Sequence, residues 1–164
     1  MTAKIVELPL DRHTKLKNFV LANLRYLDEG CFATVYESPS RKHKYIVKTG
    51  STDDPYLNYA KAIVKKQKPN PFLPKITKIL IVGDVYYVVM EKLRGAPDVY
   101  VDSISDLFDI NNIINKGRDE AQLRSAIRLI KRVLKERPMS NLDLHSSNVM
   151  IRGRKQLVIT DPLC

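Results

Sequence analysis

No run of about 18 apolar residues occurs in the chain, which excludes an ordinary membrane-spanning helix. Cysteine is nearly missing. Cys31 and Cys164 are the only two, so no disulfide framework can form and both are expected to be reduced. Glycine is sparse, at six, and no repeat, low-complexity tract or long linker interrupts the sequence. Acid is short as well: 18 Asp and Glu stand against 28 Lys and Arg, a net charge of +10 and an isoelectric point near 9.6. That surplus favours polyanionic partners, whether nucleic acid, a nucleotide or an acidic protein surface. It is not specific, and charge alone does not favour a nucleic-acid role. The opening "MTAKIVELPLDRH" lacks an apolar signal core, so the chain is expected to stay in the cytoplasm. What is present is an ordinary globular composition, 44% hydrophobic and 28% charged over 164 residues, enough for one domain or a pair of small lobes.

Leu16, Phe19, Val20 and Leu24 recur at three- and four-residue spacing and predict a helix over 11–24. "LRYLDEG", "FATVYES" and "KYIVKTG" follow, separated by turn material, and predict a three-stranded antiparallel meander. Asp53, Asp54 and Pro55 supply the start of a helix to about Gln67, which "KPNPFLP" stops. "ITKILIVG" and "VYYVVMEKL" flank Gly83-Asp84 as a second hairpin, completing five antiparallel strands. The second half turns helical. Ser103 caps a helix to Asn115, and a longer one runs from about Asp119 to Arg137, acids early and bases late, until Pro138 ends it.

The chemistry concentrates in "NLDLHSSNVMIRGRKQLVITDP", Asn141 to Pro162. Asp143 and Asn148 stand five apart, and the strand "LVITDP" presents Asp161. Such hard oxygen donors suit magnesium held against phosphates, while a separate carboxylate can orient a hydroxyl for attack. Earlier in the chain, Gly30 lies in the turn "DEGCFATV" and Lys48 ends the third strand. A turn over phosphates, a lysine on the third strand, a loop with Asp and Asn, and a last Asp occur in the order that phosphoryl transfer requires.

The sequence therefore resembles the protein-kinase-like superfamily over nearly its whole length. "LDEGCFATVYES" is similar to the glycine-rich loop, "YIVK" to the strand of the phosphate-binding lysine, and "VVMEKL" to the adenine-binding hinge. "LDLHSSN" is similar to the catalytic loop and "ITDP" to the metal-binding segment. His145 gives the loop the form D-x-H-x-x-N, as in aminoglycoside phosphotransferases. The whole phrase most resembles the early serine/threonine protein kinases of short-tailed T-seven-type bacteriophages.

The resemblance implies an α+β, minimal bilobal kinase-like fold: an N-terminal helical extension (1–24), an N-lobe of five antiparallel strands and one helix (25–93), and a reduced helical C-lobe (94–164). It implies ATP and Mg2+ as cofactors, with Gly30, Lys48, Glu91 and Leu93 binding nucleotide and Asn148 and Asp161 holding metal. Asp143, Lys48 and His145 would be the catalytic group. The partners implied are host bacterial proteins of transcription or RNA processing, met in the host cytoplasm.

The departures point the other way. Asp28 and Ala33 replace two loop glycines, and Asn141-Leu142 replaces the usual His-Arg. The helix "PYLNYAKAIVKKQ" has no acid to pair with Lys48, which leaves Asp53 or Asp54 as substitutes. "ITDP" is expected to close a core trimmed to its last metal ligand, without an activation segment or peptide-binding helices. An inactive kinase-fold protein that binds and inhibits a host protein is accordingly the alternative, and a small-molecule phosphotransferase the third reading. Individually, His145 is read as a loop brace or a phosphate contact, Lys48 as a phosphate ligand or a snorkelling side chain, and Gly30 as a loop or plain turn glycine. Lys61, Lys65 and Lys68 form a solvated face or a docking patch.

Overall fold

A computed structural model describes residues 3–40, 42, 44–66, 68–95, 117–144, 148–154 and 156–164. The fold is α+β, with a mixed six-stranded sheet, a three-stranded sheet and three helices among the described residues. It forms two compact units. Residues 1–64 and 75–92 make the first; residues 65–74 and 93–164 make the second. The boundary falls between Lys92 and Leu93, within "VVMEKL".

In the first unit the order across the sheet is β1-β5-β6-β4-β3-β2. β2 (Arg25–Glu29), β3 (Ala33–Glu37) and β4 (Tyr45–Ser51) are the expected meander. β5 (Ile76–Val82) and β6 (Val85–Glu91) are the expected hairpin, turned by Gly83 at φ 61°. Asp84 is its partner in the turn, and the left-handed position suits a residue without Cβ.

The expected five antiparallel strands need correction to six in a mixed sheet. β1 (Lys4–Leu8) runs parallel to β5, from Lys4 opposite Lys78 to Leu8 opposite Val82. A parallel partner so far along the chain leaves no hairpin signal beside it, and "KIVEL" is too short to declare itself. It lies in the stretch expected to be only a helical extension.

Alternation along β4 divides the helices between the two faces. Val47 shares a cluster with Val20 of α1 (Arg12–Asn23), Leu80 and Tyr87, flanked by Leu16 and Leu24. Phe19, on the expected apolar stripe, is exposed. Ile46, Lys48 and Gly50 face the other way, where α2 (Pro55–Lys65) buries Tyr56, Leu57, Tyr59 and Ala60. Asp54 starts α2 as expected: its Oδ1 accepts the Tyr56 N–H at 2.8 Å.

At the far end of β3, Glu37 is buried and ion-paired with both Arg25 and Lys92. The Lys92 ammonium, followed by the Arg25 guanidinium, holds its carboxyl below the usual glutamate range against the opposing effect of burial. A carboxyl depressed on folding stabilises above its unfolded pKa, and that contribution is lost as pH falls through the folded value. Glu37→Gln is therefore expected to lower Tm at pH 7 and to flatten the fall in Tm on acidification below about pH 4.3, the ordinary glutamate value. Melting curves from pH 7 to 2 check this; parallel profiles for the two proteins would contradict it.

The second unit contains β7 (Arg94–Gly95), α3 (Gly117–Glu136), β8 (Val149–Arg152) and β9 (Gln156–Ile159), with the small sheet ordered β7-β8-β9. α3 matches the expected long helix and ends before Pro138. The helix expected from Ser103 to Asn115 lies outside the described residues. "KPNPFLP" does more than stop α2. Arg152 donates to the carbonyls of Pro71 and Leu73 at 2.7 and 2.9 Å, and the Ile159 N–H donates to Phe72 at 2.9 Å. Among the described residues no helix is long and apolar enough to cross a membrane.

Candidate functional site

In the second unit the residues singled out in the C-terminal motif converge. The segment 141–143 runs antiparallel to 162–164. Asn141 and Cys164 exchange backbone hydrogen bonds at 2.7 and 3.1 Å, Leu142 bridges Leu163, and the Asp143 N–H donates to Pro162 at 2.8 Å. The β8–β9 hairpin supplies the other side. It turns at Gly153 (φ 65°) and places Asn148 just before β8 and Asp161 just after β9.

Asn148 is the node. Its Nδ2 donates to Asp143 Oδ2 at 3.0 Å and to the Asp143 carbonyl at 2.9 Å. Its own carbonyl accepts from Thr160 Oγ1 at 2.9 Å, from the Thr160 N–H at 2.8 Å and from the Asp161 N–H at 3.4 Å. Asn148 is buried, Asp143 and Asp161 are half-buried, and the Oδ1 of Asp161 is sealed from solvent. The five-residue spacing thus closes a loop in which one amide fixes the orientation of a carboxylate. An amide that spends its donor branch on Asp143 has its carbonyl branch as the metal-capable one. Among the described residues no group of three or more His, Cys, Asp or Glu is placed to hold a metal ion. His145 lies outside the described residues.

In the first unit Lys48 sits mid-strand, opposite Val35 and Val88, and is buried to 8% exposure. Its Nζ stands 3.9 Å from the centroid of the Tyr56 ring, a cation–π contact of the kind that gains strength when desolvated. Tyr56 also packs against Tyr59 and Tyr86, and its hydroxyl meets Met90 Sδ at 3.1 Å. Asp53 is exposed. Asp54 is buried, its Oδ2 accepting from the Tyr86 hydroxyl at 2.5 Å. Of the two acids proposed to serve the lysine, Asp54 is the one that joins its surroundings, through the Tyr56 amide and the Tyr86 ring. No spacing rule in the sequence marks Tyr56 as an aromatic neighbour of a lysine.

The remaining expected residues are placed as follows. Gly30 is exposed at the end of β2 and donates to the Ala33 carbonyl at 2.9 Å, with only that atom near where a Cβ would stand. Its turn does not require glycine sterically, so any need for glycine would come from a ligand's close approach. Glu91 ends β6 with its N–H donating to Lys75 O at 3.1 Å, while its Oε1 accepts the Lys75 N–H at 2.7 Å. Leu93, half-buried, opens the second unit. Comparison of the chain with protein-family models and with curated proteins finds no match.

Proposed function

We propose that the protein is an ATP- and magnesium-dependent kinase of phage type, transferring the γ-phosphoryl group to Ser or Thr residues of host bacterial proteins, among them transcription or RNA-processing components. The observation that carries the reading is the Asn148 node, which orients Asp143 and ties it to Asp161. Asp143 would orient the acceptor hydroxyl and take its proton as the new oxygen–phosphorus bond forms and the bond to the ADP oxygen breaks. Asn148 and Asp161 would hold magnesium, which when bound neutralises phosphate charge. Lys48 would hold the α- and β-phosphates, the backbone from Gly30 to Ala33 would cover them, and the backbone near Glu91 and Leu93 would meet adenine.

A second reading has its own support. Lys48 stands against Tyr56, and α2 carries no glutamate to pair with it, as in a kinase fold kept for binding and inhibiting a host protein. One experiment separates the two: γ-labelled ATP with magnesium and bacterial lysate, for wild type beside Asp143→Ala and Asp161→Ala. Label is expected on lysate proteins or on the protein itself, lost with chelator and reduced about 10²–10⁴-fold by Asp143→Ala. No transfer by wild type, with a lysate protein retained equally by all three, would replace the enzyme with the inhibitor.

A further inference from the structure

α3 carries a charge pattern that the kinase reading does not use. Its buried side chains, Ala126, Ile127, Leu129, Ile130 and Val133, share one side. At 3.6 residues per turn, Arg124, Arg128, Lys131, Arg132 and Lys135 fall within about 60° of a single line on the other side. Among the described side chains Ala121 and Ser125 accompany them there, and Glu136 borders the face beside Arg132. A solvated helix face ordinarily mixes signs so that i,i+4 neighbours attract. Here Arg124–Arg128, Arg128–Arg132 and Lys131–Lys135 are like-charged and each weakens the helix, while among the described side chains Arg132–Glu136 is the one i,i+4 pair of opposite sign.

A sixth cation joins from outside the helix. Lys66, just before the proline-rich segment of the same unit, donates from Nζ to Ser125 Oγ at 2.8 Å, which fixes its ammonium at the edge of this face. Burial first, then the charges of Arg128 and Arg132, lower the Lys66 pKa. Four exposed cations of α3, the half-buried Arg124 and the Lys66 ammonium thus lie on a side of the helix from which large apolar side chains are absent.

We propose that this face of α3, with Lys66, binds the phosphodiester backbone of a nucleic acid. From Arg124 to Lys135 the stripe is about 16 Å long, which spans about five phosphates of one strand at 3.4 Å each. Recognition of a folded protein would call for an apolar or aromatic anchor, and insertion into a lipid surface for an apolar flank; the exposed face supplies neither. The face reads charge and spacing, not bases. The proposal stands apart from the kinase reading and does not depend on it.

The test is fluorescence anisotropy of the full chain with a 20-base-pair DNA duplex and, separately, a 20-nucleotide single-stranded RNA, across a salt series. Duplex binding is expected to weaken with a log–log salt slope of about −4, and the single strand with one of about −3. Binding to only one probe identifies the natural source. Arg128→Glu with Arg132→Glu should weaken binding at least tenfold at 100 mM salt and make the slope shallower by about 2. Lys15→Glu with Lys17→Glu, an equal charge change on exposed positions of α1, should leave the slope within 1 of wild type. Should the glutamate pair on α3 fail to fold by circular dichroism, Arg128→Gln with Lys135→Gln carries the same comparison. Equal losses from the α1 and α3 variants would overturn the proposal in favour of diffuse charge. Equal affinity for poly-glutamate would overturn it in favour of an acidic protein. No binding of either oligonucleotide at 50 mM salt would overturn it outright.

Discussion

Asn148→Leu is expected to remove the proposed phosphoryl transfer and about 2–3 kcal/mol of stability together. The side chain is buried and its Nδ2 serves two acceptors of Asp143, a carbonyl and a carboxylate oxygen. Leucine keeps asparagine's branching at Cγ without either donor, so both acceptors lose this hydrogen bond where water reaches only in part. Removing a donor from a buried acceptor costs up to about 1–3 kcal/mol; the half-burial of Asp143 argues for the lower part of that range at each. The loss should appear as a lowered urea midpoint with unchanged m. Transfer should fall about 10²–10⁴-fold, because the carboxylate that would take the proton is no longer oriented.

Asn148→Asp separates the hydrogen bond from mere bulk. It sets one carboxylate against another, and like charges raise a carboxyl pKa above its unfolded value. The resulting penalty is present above the unfolded pKa and relieved as the group protonates. The variant should therefore be less stable than wild type at pH 7 and approach it near pH 4. Stability equal to wild type at pH 7 would mean the two side chains do not meet. Full transfer by Asn148→Leu would remove the node from the chemistry.

Local rules made much of the fold legible. The hairpin at Gly83-Asp84, the meander, the Asp54 start of α2 and the stop of α3 before Pro138 each follow from a few neighbouring residues. The features that escaped are non-local. β1 finds its partner in β5, across the intervening α1 and α2, and 65–74 groups with the second unit because Arg152 and Ile159 bond its carbonyls. The candidate site divides in the same way. The spacing of Asp143 and Asn148 marked a loop, and the loop is there, closed by one side chain. Beside Lys48 stands the aromatic ring of Tyr56, and the buried carboxylate of Asp54 accepts from Tyr86, which packs against that ring. Tyrosine at the second turn-forming position of a helix carries no label of that role.

Gly50→Ala is expected to destabilise the protein by about 1–3 kcal/mol, the range for a core forced to admit an extra group. A Cβ at this position would stand 2.5 Å from the Phe32 carbonyl oxygen and 2.9 Å from the Tyr86 hydroxyl. The first neighbour is backbone and cannot rotate away, so the turn between β2 and β3 must shift. The second lies opposite Gly50 on β6 and bonds Asp54, which caps α2 at Tyr56, the residue beneath Lys48. One methyl group therefore presses on both the turn read as covering phosphates and the helix start that positions the lysine. Tyr86→Phe removes the hydroxyl but not the Phe32 carbonyl. In that background Gly50→Ala should still destabilise, by an amount smaller by about 0.5–1 kcal/mol, the coupling of residues in contact. Chemical denaturation of the four proteins gives the cycle. Strict additivity would show that Tyr86 does not feel the added methyl. A Gly50→Ala protein within about 0.5 kcal/mol of wild type, the usual bound for an unconstrained surface site, would mean the Phe32 carbonyl does not lie over β4.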